Sequence, residues 1–273
     1  MASSESEVLV SIVDHVATVT LNRPKRGNAL TATMNDRLLQ ILPELANDPS
    51  VRVLVLTGAG KYFCTGMDLS ASGASDPEMA KAGFQKGLQV FDALYRFPKP
   101  VIARVNGPAL GGGVGLVFTT DIRIAVQDAY FALTEVKRGI IPAIISQYIV
   151  PEVGSQKARE YMLTGRRVPA QEALPYLSAV VPADALDTRV KSYVDMLVES
   201  APGAMADIKR LVDGAAHGAD KEEHGRLQEF VQAAYLKMMQ SDEAAYGIMS
   251  FLNKQKPDWN VFLRDKSANN SKL

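Results

Sequence analysis

The run Asn106 to Asp121, NGPALGGGVGLVFTTD, limits most narrowly what this chain can become, because three consecutive glycines in it lead straight into an apolar, helix-compatible segment. Gly111, Gly112 and Gly113 carry no Cβ, so main-chain N–H groups there can come close to a ligand atom. At a helix start such groups lack internal partners, and the aligned peptide dipoles add positive potential. An oxygen that gains negative charge during a reaction would be held at such a place. The competing reading is a tight turn needed only for packing. Neither a G-x-x-x-x-G-K-[ST] nor a G-x-G-x-x-G pattern is present in this run, so it is not a nucleotide loop.

Val101 to Val105, a buried-type strand, feeds these glycines. The same strand, glycine turn, helix order occurs earlier, where Val51 to Thr57, apolar nearly throughout, ends in Gly58 to Gly60. A repeated rhythm of this kind predicts an α/β stack or spiral whose turns share one core. Ahead of it, Val8 to Val13 and Val16 to Leu21 read as a hairpin through Asp14 and His15. Asn28 to Leu42 reads as a helix with Thr31 as N-cap and Pro43 close to its stop. Behind it come a helix over Ala80 to Phe97, strands over Asp121 to Val126 and Ala129 to Ala132, helices over Gly154 to Gly165 and Ala170 to Leu177, and a strand over Ala179 to Val181. After Pro182 the pattern is helical: Asp187 to Ser200, Ala204 to Ala216, Glu222 to Gln240 and Asp242 to Lys254 each put apolar residues on one face. These faces either cover the core or meet another subunit. The chain thus divides into a disordered N-terminus (1–7), an α/β core (8–200), a C-terminal helical region (201–264) and a polar tail (265–273).

Charge narrows the partners. Lysine plus arginine number 30 and aspartate plus glutamate 30, which removes the usual electrostatic basis for binding nucleic acid or an anionic membrane. No run approaches a membrane span, and the single cysteine, Cys64, cannot form an internal disulfide. The chain ends Ser271, Lys272, Leu273, which reads as the three-residue address of the peroxisomal import receptor and predicts a peroxisomal location.

Glu135 is the candidate acid and base, because it sits at an apparent strand end in a largely apolar run, Tyr130 to Val136. Partial burial raises a carboxyl pKa toward neutrality, which suits a group that must take and return a proton. The alternative is a surface ion pair with Lys137 or Arg138. The histidines (His15, His217, His224) lack metal-pair spacing, and no serine lies in a G-x-S-x-G elbow. A backbone oxyanion site with one carboxylate is what moves a proton beside a polarised carbonyl, and a thioester is its natural substrate.

Four motifs in order, LNRPKRGNAL (Leu21 to Leu30), LVLTGAGKYFCTGMDL (Leu54 to Leu69), KPVIARVNGPALGGGVGL (Lys99 to Leu116) and DIRIAVQDAYFALTEVKRGIIP (Asp121 to Pro142), resemble the crotonase, or enoyl-CoA hydratase/isomerase, family. The resemblance implies a spiral of ββα turns with a helical C-terminal region that packs trimers, often paired into hexamers. It implies oxyanion N–H donors at Met67 and Gly112, and a substrate-binding lining from Gly66, Met67, Asp68, Leu69 and Ser70 with Gly111 and Gly112. It also suggests Lys25, Arg26 and Lys254 for the coenzyme A phosphates, and no cofactor beyond the coenzyme A that the acyl-CoA substrate carries. Family hydratases commonly use two glutamates. The second matches Glu135, whereas the first falls on Gly115. With one carboxylate the simplest chemistry is an isomerase that moves a double bond from C3 to C2. The segment Phe131 to Gly154 taken with GGGVGL looks instead like the branch hydrating branched glutaconyl-type thioesters, which favours reversible hydration of a 3-methyl-branched enoyl-CoA. With the terminal SKL it suggests conversion of mevalonyl-CoA to its anhydro form in siderophore biosynthesis. Straight-chain fatty acyl-CoA metabolism and a non-catalytic CoA- or RNA-binding role are the alternatives.

Overall fold

Asp14 and His15 adopt left-handed φ angles of 47° and 70°, the pair that a two-residue type I′ hairpin turn requires. Val13 therefore faces Val16, and β1 (Val8–Val13) runs antiparallel to β2 (Val16–Leu21). His15 is a turn residue, as the sequence predicts. The structure, a computed structural model, describes residues 6–69, 77–200, 202–217, 228, 229, 232, 233, 235–237, 239–258, 261, 262 and 265. The disordered N-terminus and the C-terminal tail of the sequence reading fall almost entirely outside these residues.

In chain order the further strands are β3 (Val53–Gly58), β4 (Val101–Val105), β5 (Ala109–Leu110), β6 (Ile122–Val126), β7 (Tyr130–Ala132), β8 (Val168–Pro169) and β9 (Ala179–Val181). One sheet has the order β1-β2-β3-β4-β6-β9, parallel from β2 onward. β3 is buried at every position, as a strand covered on both faces must be. Helix α1 (Ala32–Asn47) buries Met34, Leu38, Ile41 and Leu42 in the core shared with Leu54 and Leu56 of β3. Each such side chain contributes about 1.5–3 kcal/mol by leaving water. In a small second sheet, β5-β7-β8, the strand β7 is the one expected over Ala129 to Ala132, whereas the two-residue strands β5 and β8 were not legible in the sequence.

The remaining helices are α2 (Pro77–Tyr95), α3 (Gly112–Phe118), α4 (Ala143–Val153), α5 (Ser155–Thr164), α6 (Ala170–Ala173), α7 (Leu186–Val198), α8 (Pro202–His217) and α9 (Asp242–Leu252). Thr31 caps α1 as expected, its hydroxyl accepting from Met34 N at 3.0 Å. Pro43 does not stop α1: the helix runs through it to Asn47, because burial of Leu45 beyond the proline offsets the lost backbone bond. The helix expected over Ala170 to Leu177 shortens to α6 followed by a 3₁₀ turn, Leu174–Tyr176, since Pro175 has no N–H to continue it. The segment Glu222 to Gln240 is described only in part, and its described residues are helical up to Met239. No helix among the described residues is long and apolar enough to cross a membrane.

Candidate active site

β5 pairs in parallel with β7, Leu110 opposite Ala132. Each strand runs directly into one half of the site: β5 into the glycines, β7 into the 3₁₀ helix Thr134–Arg138 that carries Glu135. Gly111 N donates to Ala132 O at 2.9 Å, which ties the two exits together. The three glycines then have separate tasks. Gly111 holds φ at +50°, and a Cβ there would stand 3.1 Å from Glu135 Oε1. A Cβ on Gly112 would lie 3.7 Å from Met67 N, and one on Gly113 would overlap the Cys64 carbonyl oxygen. The run therefore serves close packing against the loop Cys64 to Met67 as well as bare backbone. The two readings from sequence were not exclusive.

Met67 is placed by an isolated parallel bridge to Leu30. Leu30 N donates to Gly66 O (2.8 Å) and Asp68 N to Leu30 O (2.9 Å), so the N–H of Met67 faces away from Leu30. Neither Met67 N nor Gly112 N donates to any acceptor among the described residues. Two free amides thus meet at one wall of a cavity.

That cavity, about 180 Å³, is apolar apart from a few groups, and Glu135 and Arg138 are its charged lining residues among those described. Glu135 is half-buried, but its Oε2 is closed off from solvent with no hydrogen-bond partner. Loss of water pushes its carboxyl pKa up to about 7, against the opposing pull of its own backbone N–H and of the Arg138 guanidinium. No ion pair forms between Glu135 and Lys137 or Arg138, so the surface-pair alternative fails. A carboxyl group poised near neutrality can both accept and return a proton.

The space at Gly115 is filled. A Cβ there would overlap Ile145 Cγ2 and stand 2.8 Å from Phe91 Cε1. No second carboxylate can enter from this position while Ile145 and Phe91 stay in place.

Gly66, Met67, Leu69, Gly111, Gly112 and Glu135 all line the cavity. Asp68 does not; its Oδ2 is bound by Arg23 Nη1 at 2.9 Å, which pins the loop from behind. Ser70 lies outside the described residues, as do Ser271, Lys272 and Leu273. Lys25 and Arg26 are exposed on the 3₁₀ turn Pro24–Arg26, and Lys254 is exposed beyond α9; none lines the cavity. Sequence reading missed Asn28, whose buried amide donates to Ala59 O (2.9 Å) and Tyr62 O (2.7 Å) and accepts from Arg23 N (2.9 Å). Its place inside the NRPKRGNAL motif was the available signal. Ile248 and Phe251 of α9, with Tyr235 and Met239, were also missed as cavity wall.

A mixed sheet spiralling into a glycine loop, with a carboxyl group and free amides around one apolar cavity, defines an α/β protein of the crotonase fold. The family model described as enoyl-CoA hydratase/isomerase matches residues 11–261. An enoyl-CoA hydratase from Alternaria alternata is 37% identical over 242 residues, covering 87% of this chain and 78% of its own. An (E)-benzylidenesuccinyl-CoA hydratase from Thauera aromatica is 34% identical over 255 residues, covering 92% and 97%. The crystal structure of an enoyl-CoA hydratase from Mycobacterium avium superposes with a TM-score of 0.82 at 31% identity, covering 93% of this chain and 99% of that one. The chain belongs to the enoyl-CoA hydratase/isomerase family.

Proposed function

We propose that the protein is an enoyl-CoA hydratase that adds water reversibly across the C2–C3 double bond of an acyl-CoA, with Glu135 as the single acid and base. The observation that carries this reading is the convergence of the unpartnered Met67 and Gly112 amides with the desolvated carboxyl group of Glu135 in one cavity. Ionised Glu135 takes a proton from water as the oxygen bonds to C3. The electron pair of the double bond moves toward the thioester oxygen, which the two amides stabilise as an enolate. Protonated Glu135 then returns its proton to C2, so water is added and the carboxylate is restored. Reversal gives dehydration.

A 3-methyl-branched substrate fits a site with one carboxylate, because departure of hydroxide from a tertiary carbon is electronically easier. Within that class, mevalonyl-CoA and its anhydro form, a siderophore-precursor step, are the specific pair to try. Lys25, Arg26 and Lys254 are the basic groups available for coenzyme A phosphates, and Ser70 would complete the loop. The C-terminal Ser271-Lys272-Leu273 would send the protein to the peroxisome, which a fluorescent fusion with and without these residues tests. Ile208, Leu211 and Val212 are exposed on α8 and are the apolar face a neighbouring subunit of a trimer or hexamer would cover.

The isomerase reading draws on the same single carboxylate. The deciding experiment incubates the protein with a 3-methyl-branched 2-enoyl-CoA and, separately, a straight 3-enoyl-CoA in heavy-oxygen water, with Glu135→Gln as control. Label at C3, lost in the variant, is the expected result. A moved double bond without label means isomerase, and no turnover of either leaves the binding-protein alternative.

A further inference from the structure

Tyr235 brings to the cavity wall a hydroxyl that the proton transfers do not use. It lies in the helical stretch before Met239, is 7% exposed, and packs its ring on Phe84 of α2 with centroids 5.1 Å apart. The hydroxyl makes no hydrogen bond among the described residues, and its oxygen is not closed off from solvent. Burial raises its pKa, so the group stays protonated through the neutral range and can donate. Ile140, Ala143, Met239 and Ile248, which share its hydrophobic cluster and also line the cavity, offer no side-chain nitrogen or oxygen.

Helix α2 defines where this hydroxyl stands. Gly83, Gly87 and Phe91, each one turn from the next, all line the cavity. Phe91 stands at the Gly115 end, which Ile145 fills, and a Cβ on Gly87 would come 3.0 Å from Ile144 Cδ1. Gly83 lies two turns back from Phe91, about 12 Å along the helix. A Cβ there would meet the Tyr235 hydroxyl oxygen at 4.0 Å and, outside its own helix, no other described atom that close. Glycine and phenol thus face each other across an open niche, at the end of the α2 face away from Gly115. In the free protein solvent can satisfy the hydroxyl. A hydrocarbon chain end entering the niche would displace that solvent and leave the O–H unpaired, whereas a hydroxyl-bearing chain end replaces the lost bond.

We infer that Tyr235 is a specificity-determining residue: it holds a hydroxyl group at the far end of the acyl chain in the niche over Gly83, and so selects such chains over chains that end in a methyl group. The inference rests on the acyl-CoA reading of this cavity and concerns the chain beyond the reacting carbons, whether or not C3 is branched. With the Gly115 end filled by Ile145, the room for that part of the chain lies along Gly87 and Gly83. If Tyr235 served only to pack on Phe84, its exchange for phenylalanine would affect all chain ends alike.

The test is calorimetric titration of the full-length protein, wild type and Tyr235→Phe, with pentanoyl-CoA and hexanoyl-CoA and with their 5-hydroxypentanoyl and 6-hydroxyhexanoyl counterparts. All four are saturated, so none can take up water. The phenylalanine keeps the ring that packs on Phe84 and removes the hydroxyl alone. Wild type should bind the hydroxyl-ended ligand more tightly than its parent at one length or both. Tyr235→Phe should weaken that ligand roughly 3–10-fold, as loss of one neutral hydrogen bond gives, while the parent binds as before. No preference at either length, a preference that survives Tyr235→Phe, or equal loss for both members of a pair would each overturn the inference and leave the acyl-CoA reading standing. Binding of none of the four would bring down both.

Discussion

A Cβ on Gly115 would stand 2.8 Å from the Cβ of Ile145, so one side chain's worth of space is shared between two positions and Ile145 occupies it. Ile145 is itself buried in the core with Phe91. The pair must therefore respond to mutation as a unit. Gly115→Ala should cost about 1–3 kcal/mol of stability by overpacking, and Ile145→Ala about 2–5 kcal/mol by leaving a void. The double variant should lose less than the sum, because each change relieves the other. Urea unfolding of the three variants measures this, and simple additivity would show that the two sites do not share the space.

Glu135→Gln should lower turnover about 10²–10⁴-fold with little change in coenzyme A binding. Both directions of the reaction begin with ionised Glu135, whose pKa is pushed up to about 7. kcat/KM should therefore rise with pH through that value and level off above it. A profile flat between about pH 5 and 9, two units either side of neutrality, would remove Glu135 from the proton transfers.

The same group makes stability depend on pH. Its folded pKa, about 7, lies above the ordinary 4.5, so the folded state binds the proton more tightly than the unfolded chain does. The contribution of Glu135 is favourable below about 4.5, declines as pH rises toward 7, and is lost above it, with a total on the order of 3 kcal/mol. Unfolding midpoints of wild type and Glu135→Gln across this range should diverge as pH rises, the variant gaining relative stability.

Arg23 joins Asp68 at 2.9 Å and Glu7 at 3.0 Å while donating to Ala29 O at 2.7 Å, with Arg23 and Asp68 both largely buried. Arg23→Met takes the guanidinium from Asp68, one residue after Met67, and should cost about 3 kcal/mol. Catalytic efficiency should fall as well, because the Met67 amide loses its fixed position. A double-mutant cycle with Asp68→Asn checks the coupling, and an interaction energy near zero would mean that the loop is held by other bonds.

Local chemistry was readable in the chain. Asp14 and His15 announced a hairpin, Thr31 a cap, and Glu135 a carboxyl group out of place in an apolar run. Each depends on residues within a few positions of itself. What sequence hid depends on distant partners: Ile145 in the space of Gly115, Asn28 between two loops, and the α9 wall contributed from far along the chain. Pro43 misled for the same reason, since burial of Leu45 outweighs a local rule. The glycine triplet lay between these cases. Its free backbone could be foreseen, but its contact with the Cys64 carbonyl could not.

The wall formed by Ile248 and Phe251 bears on how the molecule is made. Synthesis proceeds from the N-terminus, so Met67, Gly112 and Glu135 leave the ribosome well before α9 does. Until α9 docks, Ile140, Ala143 and Ile144 lie on an open apolar flank, the kind of surface that chaperones grip. The chamber is thus sealed late in biogenesis, and a chain interrupted before Asp242 would present its chemistry without the enclosure that keeps Glu135 near neutrality.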